Sequence, residues 1–145
     1  MLTLAPQVAQ AGAWGVGSFN NDNAADWFDE VQTRGLPAVH GALAGLHRSG
    51  YLDIDRCSAI IAAADLIASI SGGNTNHLPR PISGWSAEHK RTDITTLILP
   101  AIAGLRMCAD ASRSELAQLW IESSPQEWDT HIKRLTARLA ALSRP

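Results

Sequence analysis

Apolar residues recur every three or four positions along most of the chain, which is the spacing of one face of an α-helix. The clearest stripe lies near the C-terminus and consists of Trp128, Ile132, Leu135, Leu139 and Leu142. Alternation of apolar and polar residues never extends beyond a few positions, so strands are not expected. The pattern therefore predicts an all-α fold, a single compact bundle of five to seven short amphipathic helices.

Capping residues predict where these helices begin. The expected N-caps are Asn21 or Asp22, Asp53 or Asp55, Thr92, Ser112 and Ser124. Pro100 falls inside the fourth predicted helix and should kink or break it near Leu99, because proline lacks the N–H and clashes with the preceding turn. Residues 72–91 interrupt the helical pattern and form the longest predicted loop, with room for a short helical turn around Trp85 to Lys90.

The chain has 145 residues, of which 46% are hydrophobic, and this suits one globular domain that needs neither a disulfide nor a metal ion. We expect an N-terminal extension over residues 1–11, one helical domain over 12–142 and a short tail over 143–145. The extension lacks the basic and continuously apolar parts of a signal peptide, and no apolar run reaches the roughly 18 residues of a membrane span.

Net charge bears on the class of partner, and cysteine content bears on the redox compartment of the protein. A formal charge of −2 argues against nucleic-acid binding, which usually needs a basic patch. Cys57 and Cys108 both lie in apolar helical stretches, and we expect buried free thiols rather than a disulfide. Free thiols are typical of the reducing cytoplasm.

Candidate catalytic and metal-binding residues do not form a recognisable set. Among the five histidines, His40 and His47 are seven residues apart, which is too wide for the helical zinc motif. The acidic run after Asn20 lacks the glycine and the final glutamate of a calcium-binding loop. No nucleophile elbow is present, and Cys57 has no neighbour that would lower its pKa. We therefore expect no catalytic residue, no metal and no cofactor.

Two surface features suggest a protein partner instead. The side chains of Asp22, Asp26, Asp29 and Glu30 lie roughly along one side of the first helix and could meet a basic surface. Trp85 and His89 lie in the irregular segment beside basic residues, and exposed tryptophans often dominate interfaces. The simpler alternative, which we favour, is that Trp85 pins its loop to the core.

The segment GAWGVGSFNNDNAADWF, residues 12–28, combines turn-forming glycines, aromatic anchors and a helix cap. We interpret it as a structural element that starts the first helix. The residues concerned are Gly12, Trp14, Gly15, Gly17, Phe19, Asn21, Asp22 and Trp27.

This segment resembles the opening motif of a family of small bacterial proteins, the domain of unknown function DUF4259. The sequence GYLD at residues 50–53, the alanine-rich third helix and the sequence SELAQLWIES at 114–123 also resemble that family. The chain departs from it in its eleven-residue extension and in Asn23, which stands where an acidic residue is common. The resemblance implies no activity and no catalytic residues.

Three functions are compatible with the sequence. The leading hypothesis is a non-enzymatic protein-binding module, such as an immunity or antitoxin-like protein whose partner is a toxin. The second is a small hydrolase or ligand-binding protein with a pocket near Trp14 or His89. The third is a structural homodimer that uses the helix containing Pro100. A deep pocket with a strongly shifted histidine or carboxylate pKa would favour the second hypothesis, and a flat apolar patch with a charged rim would favour the first.

Overall fold

Seven α-helices account for most of residues 17–143, the part of the chain that our computed structural model describes. The helices are α1 (Asp22–Arg34), α2 (Leu36–Leu43), α3 (Ile54–Gly72), α4 (Arg80–Glu88), α5 (Ile98–Ala109), α6 (Glu115–Ser123) and α7 (Pro125–Leu142). Short 3₁₀ turns occur at Leu46–Arg48 and Thr95–Leu97, and an isolated β-bridge joins Leu52 to Ser114. The predicted all-α bundle is confirmed. None of the helices in this range is long and apolar enough to cross a membrane.

Helix α3 lies at the centre of the bundle and contacts each of the other six α-helices. Its residues from Cys57 to Ile70 are buried on nearly every side, as expected of a helix that is apolar all round. Alanines make up much of this stretch, and their small side chains let the neighbouring helices approach closely. The polar side chains in the middle of α3, those of Asp65 and Ser69, are therefore buried.

The closest approach to α3 is made by α5 at Gly104. A Cβ atom at this position would lie 2.7 Å from Cγ2 of Ile60 and 3.1 Å from Cδ1 of Leu46. Both of these neighbours are buried, and Ile60 is held stiffly because it is β-branched. Gly104 is therefore required by packing.

Of the five predicted helix caps, two are confirmed and two are wrong. The fifth, Ser124, is the N-cap residue of α7, but its side chain makes no capping hydrogen bond. The side chains of Asn21 and Asp53 accept hydrogen bonds from the first-turn N–H groups of α1 and α3, at 2.7 and 2.8 Å. Helix α6 is capped by Ser114 rather than Ser112, because the Ser112 hydroxyl donates to Asp110 instead. Thr92 caps no helix, since α5 begins only at Ile98.

The late start of α5 also removes the predicted kink at Pro100. This proline is the third residue of the helix, and the first turn of a helix has no intrahelical partner for its N–H groups. A proline there removes no hydrogen bond between turns of α5, and the turn that precedes it is the 3₁₀ turn at Thr95–Leu97.

The segment over residues 72–91, predicted as a loop, contains α4. Pro81 is the second residue of α4, where proline favours a helix start. Trp85 lies on this helix, half-buried, with its ring edge-to-face against Phe28 of α1 at a centroid distance of 6.2 Å. Trp85 therefore anchors its segment to the core, as the favoured alternative predicted.

The expectation of free thiols is wrong, because Cys57 and Cys108 form a disulfide. The bond joins α3 to α5, with the two Cα atoms 5.6 Å apart, and both residues are fully buried. The sequence does not show that Cys57 and Cys108 face each other, because this depends on how α3 and α5 pack. The cytoplasmic location rested on free thiols and loses that support. In the chain-entropy model, closing a separation of 51 residues stabilises the fold by roughly 4 kcal/mol.

We expect Gly104→Ala to lower the free energy of unfolding by about 1–3 kcal/mol, because the new methyl group overpacks the α3–α5 contact. Gly84→Ala is the matched control, since Gly84 also lies within a helix but its Cβ would meet nothing within 4 Å. The control should gain up to about 1 kcal/mol from helix propensity. Urea unfolding of the two variants measures both changes, and equal effects would contradict the packing argument.

Candidate functional site

The predicted partner-binding residues lie in two adjoining places. Asp22, Asp26, Asp29 and Glu30 are all exposed on α1, and Glu30 forms an ion pair with Arg34 one turn later. On α4, the ring of His89 stacks on the ring of Trp85 at a centroid distance of 3.9 Å, and its Nδ1 contacts the Trp85 carbonyl oxygen at 2.8 Å. Trp85 and His89 are thus held against each other at the C-terminal end of α4.

The predicted structural motif lies only partly within the residues that the structure describes. Gly12, Trp14 and Gly15 lie outside the described residues, so that part of the prediction stays open. In the remainder, Phe19 and Trp27 are buried, and Phe19 packs edge-to-face on Phe28. A turn from Gly17 to Asn20, closed by a 3.0 Å backbone hydrogen bond, leads into the cap at Asn21.

A cluster of polar side chains, which we did not predict, surrounds Asp65 at the centre of α3. Asp65 is only 3% exposed. Its Oδ1 atom lies 2.7 Å from Nε2 of His77 and 3.3 Å from Nη1 of Arg138. Ser69, one turn further along α3, donates a hydrogen bond of 3.2 Å to the same oxygen. A buried carboxylate is thus matched by donors from α3, α7 and the segment before α4.

These partners keep Asp65 ionised despite its burial. Burial disfavours the charged carboxylate, but hydrogen bonds from His77 and Ser18 and the positive charge of Arg138 outweigh it. The pKa of Asp65 consequently lies below its ordinary value of 3.8. At neutral pH the cluster therefore contains a carboxylate directly paired with a guanidinium.

Next to Asp65, the hydroxyl of Ser18 lies 2.8 Å from Nε2 of His131. Ser18 is buried in the turn before α1, and His131 lies on α7. Burial lowers the pKa of His131 below its ordinary value of 6.5; the negative charge of Asp65 opposes this shift only in part. His131 is therefore uncharged at neutral pH, and a neutral imidazole can accept a proton.

The two groups meet at a cleft of about 250 Å³. Its wall includes the turn from Gly17 to Asn20 on one side, Asp65 and His131 on another, and residues 77–79 at the rim. We call this cavity the Ser18 cleft. The second hypothesis called for a deep pocket with a strongly shifted histidine or carboxylate; this cleft is small, and the pKa values of His131 and Asp65 in its wall are lowered. The cleft lies at Ser18 rather than at His89.

This site could not be predicted from the sequence, because the residues that form it are far apart in the chain. Ser18 and His131 are 113 residues apart, and Asp65 and Arg138 are 73 apart. One feature of the sequence of α3, Asp65 among apolar residues, could have indicated the site. An aspartate within an apolar, alanine-rich helix must be buried, and a buried carboxylate needs partners. His77 and His131 were considered only as metal ligands, and no group of three or more metal-binding side chains occurs within residues 17–143.

Exposed apolar side chains are scattered over the rest of the described surface. The large ones are Tyr51, Leu99 and Ile121. Leu99 on α5 is 67% exposed, but a single exposed leucine is normal for a monomer and does not by itself favour the homodimer.

We expect His131→Gln to weaken the acid sensitivity of the fold. A histidine with a lowered pKa in the folded state binds fewer protons than in the unfolded state below about pH 6.5, so acid favours unfolding. The stability that ionised Asp65 contributes is retained above its ordinary pKa of 3.8 and is lost only as pH falls through the lowered folded-state value. Between about pH 7.5 and pH 5 the wild type should therefore lose more stability than His131→Gln.

Urea unfolding at both pH values measures this difference. His40→Gln is the control, because His40 is exposed on α2 and should leave the wild-type pH dependence unchanged. The same pH dependence in His131→Gln and the wild type would contradict the placement of His131.

A family model matches most of the chain. No curated protein and no solved structure matches the chain. The family model DUF4259, a domain of unknown function, matches residues 12–131, which include Ser18, Asp65, His77 and His131. Because this match covers most of the chain, the protein belongs to the DUF4259 family.

Proposed function

We propose that this domain binds a small, uncharged polar molecule in the Ser18 cleft. The observation that carries the proposal is the Ser18–His131 pair in the wall of a cavity beside the buried Asp65. Binding sites typically combine a concave surface with a few converging polar groups and perturbed pKa values. The Ser18 cleft has all three features.

The charges around the cleft favour an uncharged ligand. The carboxylate of Asp65 is compensated by Arg138, and His131 is neutral at physiological pH. An ion of either sign would have to give up its hydration without gaining an unpaired counter-charge. A neutral molecule with a carbonyl or hydroxyl group can instead exchange hydrogen bonds with Ser18, His131 and the amide of Asn20.

The volume of the cleft limits the size of the ligand. Pockets for drug-sized molecules measure roughly 300–1,000 Å³. At about 250 Å³ the Ser18 cleft lies below this range, so the fitting ligand has only a few heavy atoms. Phe19 and Leu78 also line the cleft and provide apolar surface for a short alkyl chain.

Short aliphatic amides are suitable probes, because they are neutral, stable in water and carry one carbonyl group. We expect acetamide and propionamide to shift the backbone amide signals of residues 17–20 in two-dimensional NMR, with a Kd of roughly 1 mM. His131→Gln should weaken this binding by about tenfold, since it removes the imidazole partner of Ser18. His40→Gln should bind like the wild type. Failure of the amides to shift any signal around the cleft would refute the proposal.

A protein partner is the second candidate function, and the exposed acidic residues of α1 favour it. The cap of α1 is made by Asn21, so none of the acidic side chains is needed for it. Asp22, Asp26 and Asp29 take part in none of the ion pairs found within residues 17–143. Free negative charge on a surface steers a basic partner toward it. We propose, as this second candidate, that the α1 face binds a basic protein, as an immunity or antitoxin-like protein would bind a toxin.

Asp26→Lys tests the second candidate. We expect it to reduce capture of a specific partner from native lysate by tenfold or more and to weaken the salt dependence of capture, because it reverses charge in the middle of the face. Glu122→Lys makes the same change of charge on α6 and should capture the partner normally. Equal capture by both variants would exclude the α1 face.

A further inference from the structure

We propose that Ser18 is a nucleophile activated by His131, and that the Ser18 cleft hydrolyses small neutral carboxylic esters. This inference rests on the binding function proposed for the cleft. It adds a reaction and a substrate class, a short acyl group joined to an alcohol. The structural basis is the 2.8 Å contact between the Ser18 hydroxyl and Nε2 of His131 inside a cavity.

Nucleophilic catalysis by serine requires a base within hydrogen-bond reach of the hydroxyl. His131 meets this requirement in distance, and in the tautomer that carries its proton on Nδ1 the uncharged ring has a lone pair on Nε2 to take the serine proton. The single hydroxyl proton of Ser18 can also point to Asp65. An aspartate with a lowered pKa is the weaker base, so proton transfer goes to His131. The negative charge of Asp65 favours the imidazolium that forms, while the positive charges of Arg138 and Arg134 oppose it.

The reaction consumes one water molecule and balances without any further reactant. Ser18 Oγ attacks the ester carbonyl carbon, and its proton passes to Nε2 of His131. The tetrahedral intermediate collapses, the bond to the alcohol oxygen breaks, and His131 returns the proton to that oxygen. Water then attacks the acyl-serine while His131 takes its proton, the bond between the acyl carbon and Ser18 Oγ breaks, and His131 returns the proton to Oγ. The products are the carboxylic acid, the alcohol and free Ser18.

The remaining walls of the cleft suit this chemistry. Asn20 lines the cavity, and its side-chain amide folds back over Gly17, so that a Cβ at Gly17 would lie 2.6 Å from Asn20 Nδ2. An amide N–H is the kind of donor that stabilises an oxyanion. The small volume of the cleft restricts the acyl chain, so acetyl esters should react and long-chain esters should not.

The test uses the full chain with p-nitrophenyl acetate and p-nitrophenyl octanoate. We expect turnover of the acetyl ester only, and mass spectrometry after a rapid acid quench should find one acetyl group on the peptide that contains Ser18. Ser18→Ala and His131→Gln should each lower kcat/KM by about 100-fold or more. Ser112→Ala is the control, because the Ser112 hydroxyl is exposed and bonded to a carboxylate rather than an imidazole.

Ser18→Cys covers the case in which Ser18→Ala does not fold, because it keeps a nucleophile of similar size. It should form a thioester with the acetyl group, and Ser18→Cys combined with His131→Gln should not. Wild-type rates in folded Ser18→Ala, or acetylation only at other residues, would overturn the inference. If amides bind in the cleft but the acetyl ester is not turned over, the esterase inference fails and the binding function stands. If neither occurs, both fail.

Discussion

The structure depends on compensation of one buried charge, the carboxylate of Asp65. An ionised group in an apolar core costs several kcal/mol unless partners replace its hydration. The partners here come from three separate parts of the chain: Ser69 on α3 itself, His77 before α4 and Arg138 on α7. Because all of them must reach the same carboxylate, Asp65 determines how these three segments meet. An apolar residue at this position would place no such requirement on α7 or on His77.

The rest of the bundle holds α3 still around that charge. The Cys57–Cys108 disulfide fixes the N-terminal part of α3 to α5, and the contact between Gly104 and Ile60 follows one turn later. Beyond Asp65, α3 ends at Gly72, and its C-cap Gly73 has a positive φ of 71° that suits glycine. Asp65 is thus carried into the Ser18 cleft by a helix that is held along its length, whereas Ser18 lies in the turn before α1 and His131 on α7. The turn that carries Ser18 spans only residues 17–20 and is closed by a single backbone hydrogen bond.

The sequence was sufficient for the fold and insufficient for the site, and the reason is the range of the interactions. Caps such as Asn21 and Asp53 act on residues three positions away, so their signal lies within one window of sequence. The contacts of Ser18 with His131 and of Asp65 with Arg138 join residues 113 and 73 positions apart. The disulfide belongs to the same category, since Cys57 and Cys108 face each other only once α3 and α5 have packed.

The helix-start errors at Thr92 and Ser112 have another origin, the competition among local hydrogen bonds. Before α6, Ser114 rather than Ser112 accepts from the helix N–H groups. Before α5, Asp93 accepts from the N–H of Thr95 in the 3₁₀ turn, and α5 itself has no side-chain cap.

The acidic face of α1 and the Ser18 cleft are separate in chemistry, although they adjoin in the chain. The turn from Gly17 to Asn20 forms one wall of the cleft and leads directly into α1. A partner bound to Asp22 and Asp26 would influence the cleft only if this turn had a second arrangement that the partner preferred. Its backbone hydrogen bond, the Asn21 cap and the burial of Phe19 all hold the one arrangement seen. The Ser18–His131 contact adds a tie to α7. A ligand in the cleft and a protein on α1 are therefore expected to bind independently, and a charge reversal on α1 should leave the chemistry of Ser18 unchanged.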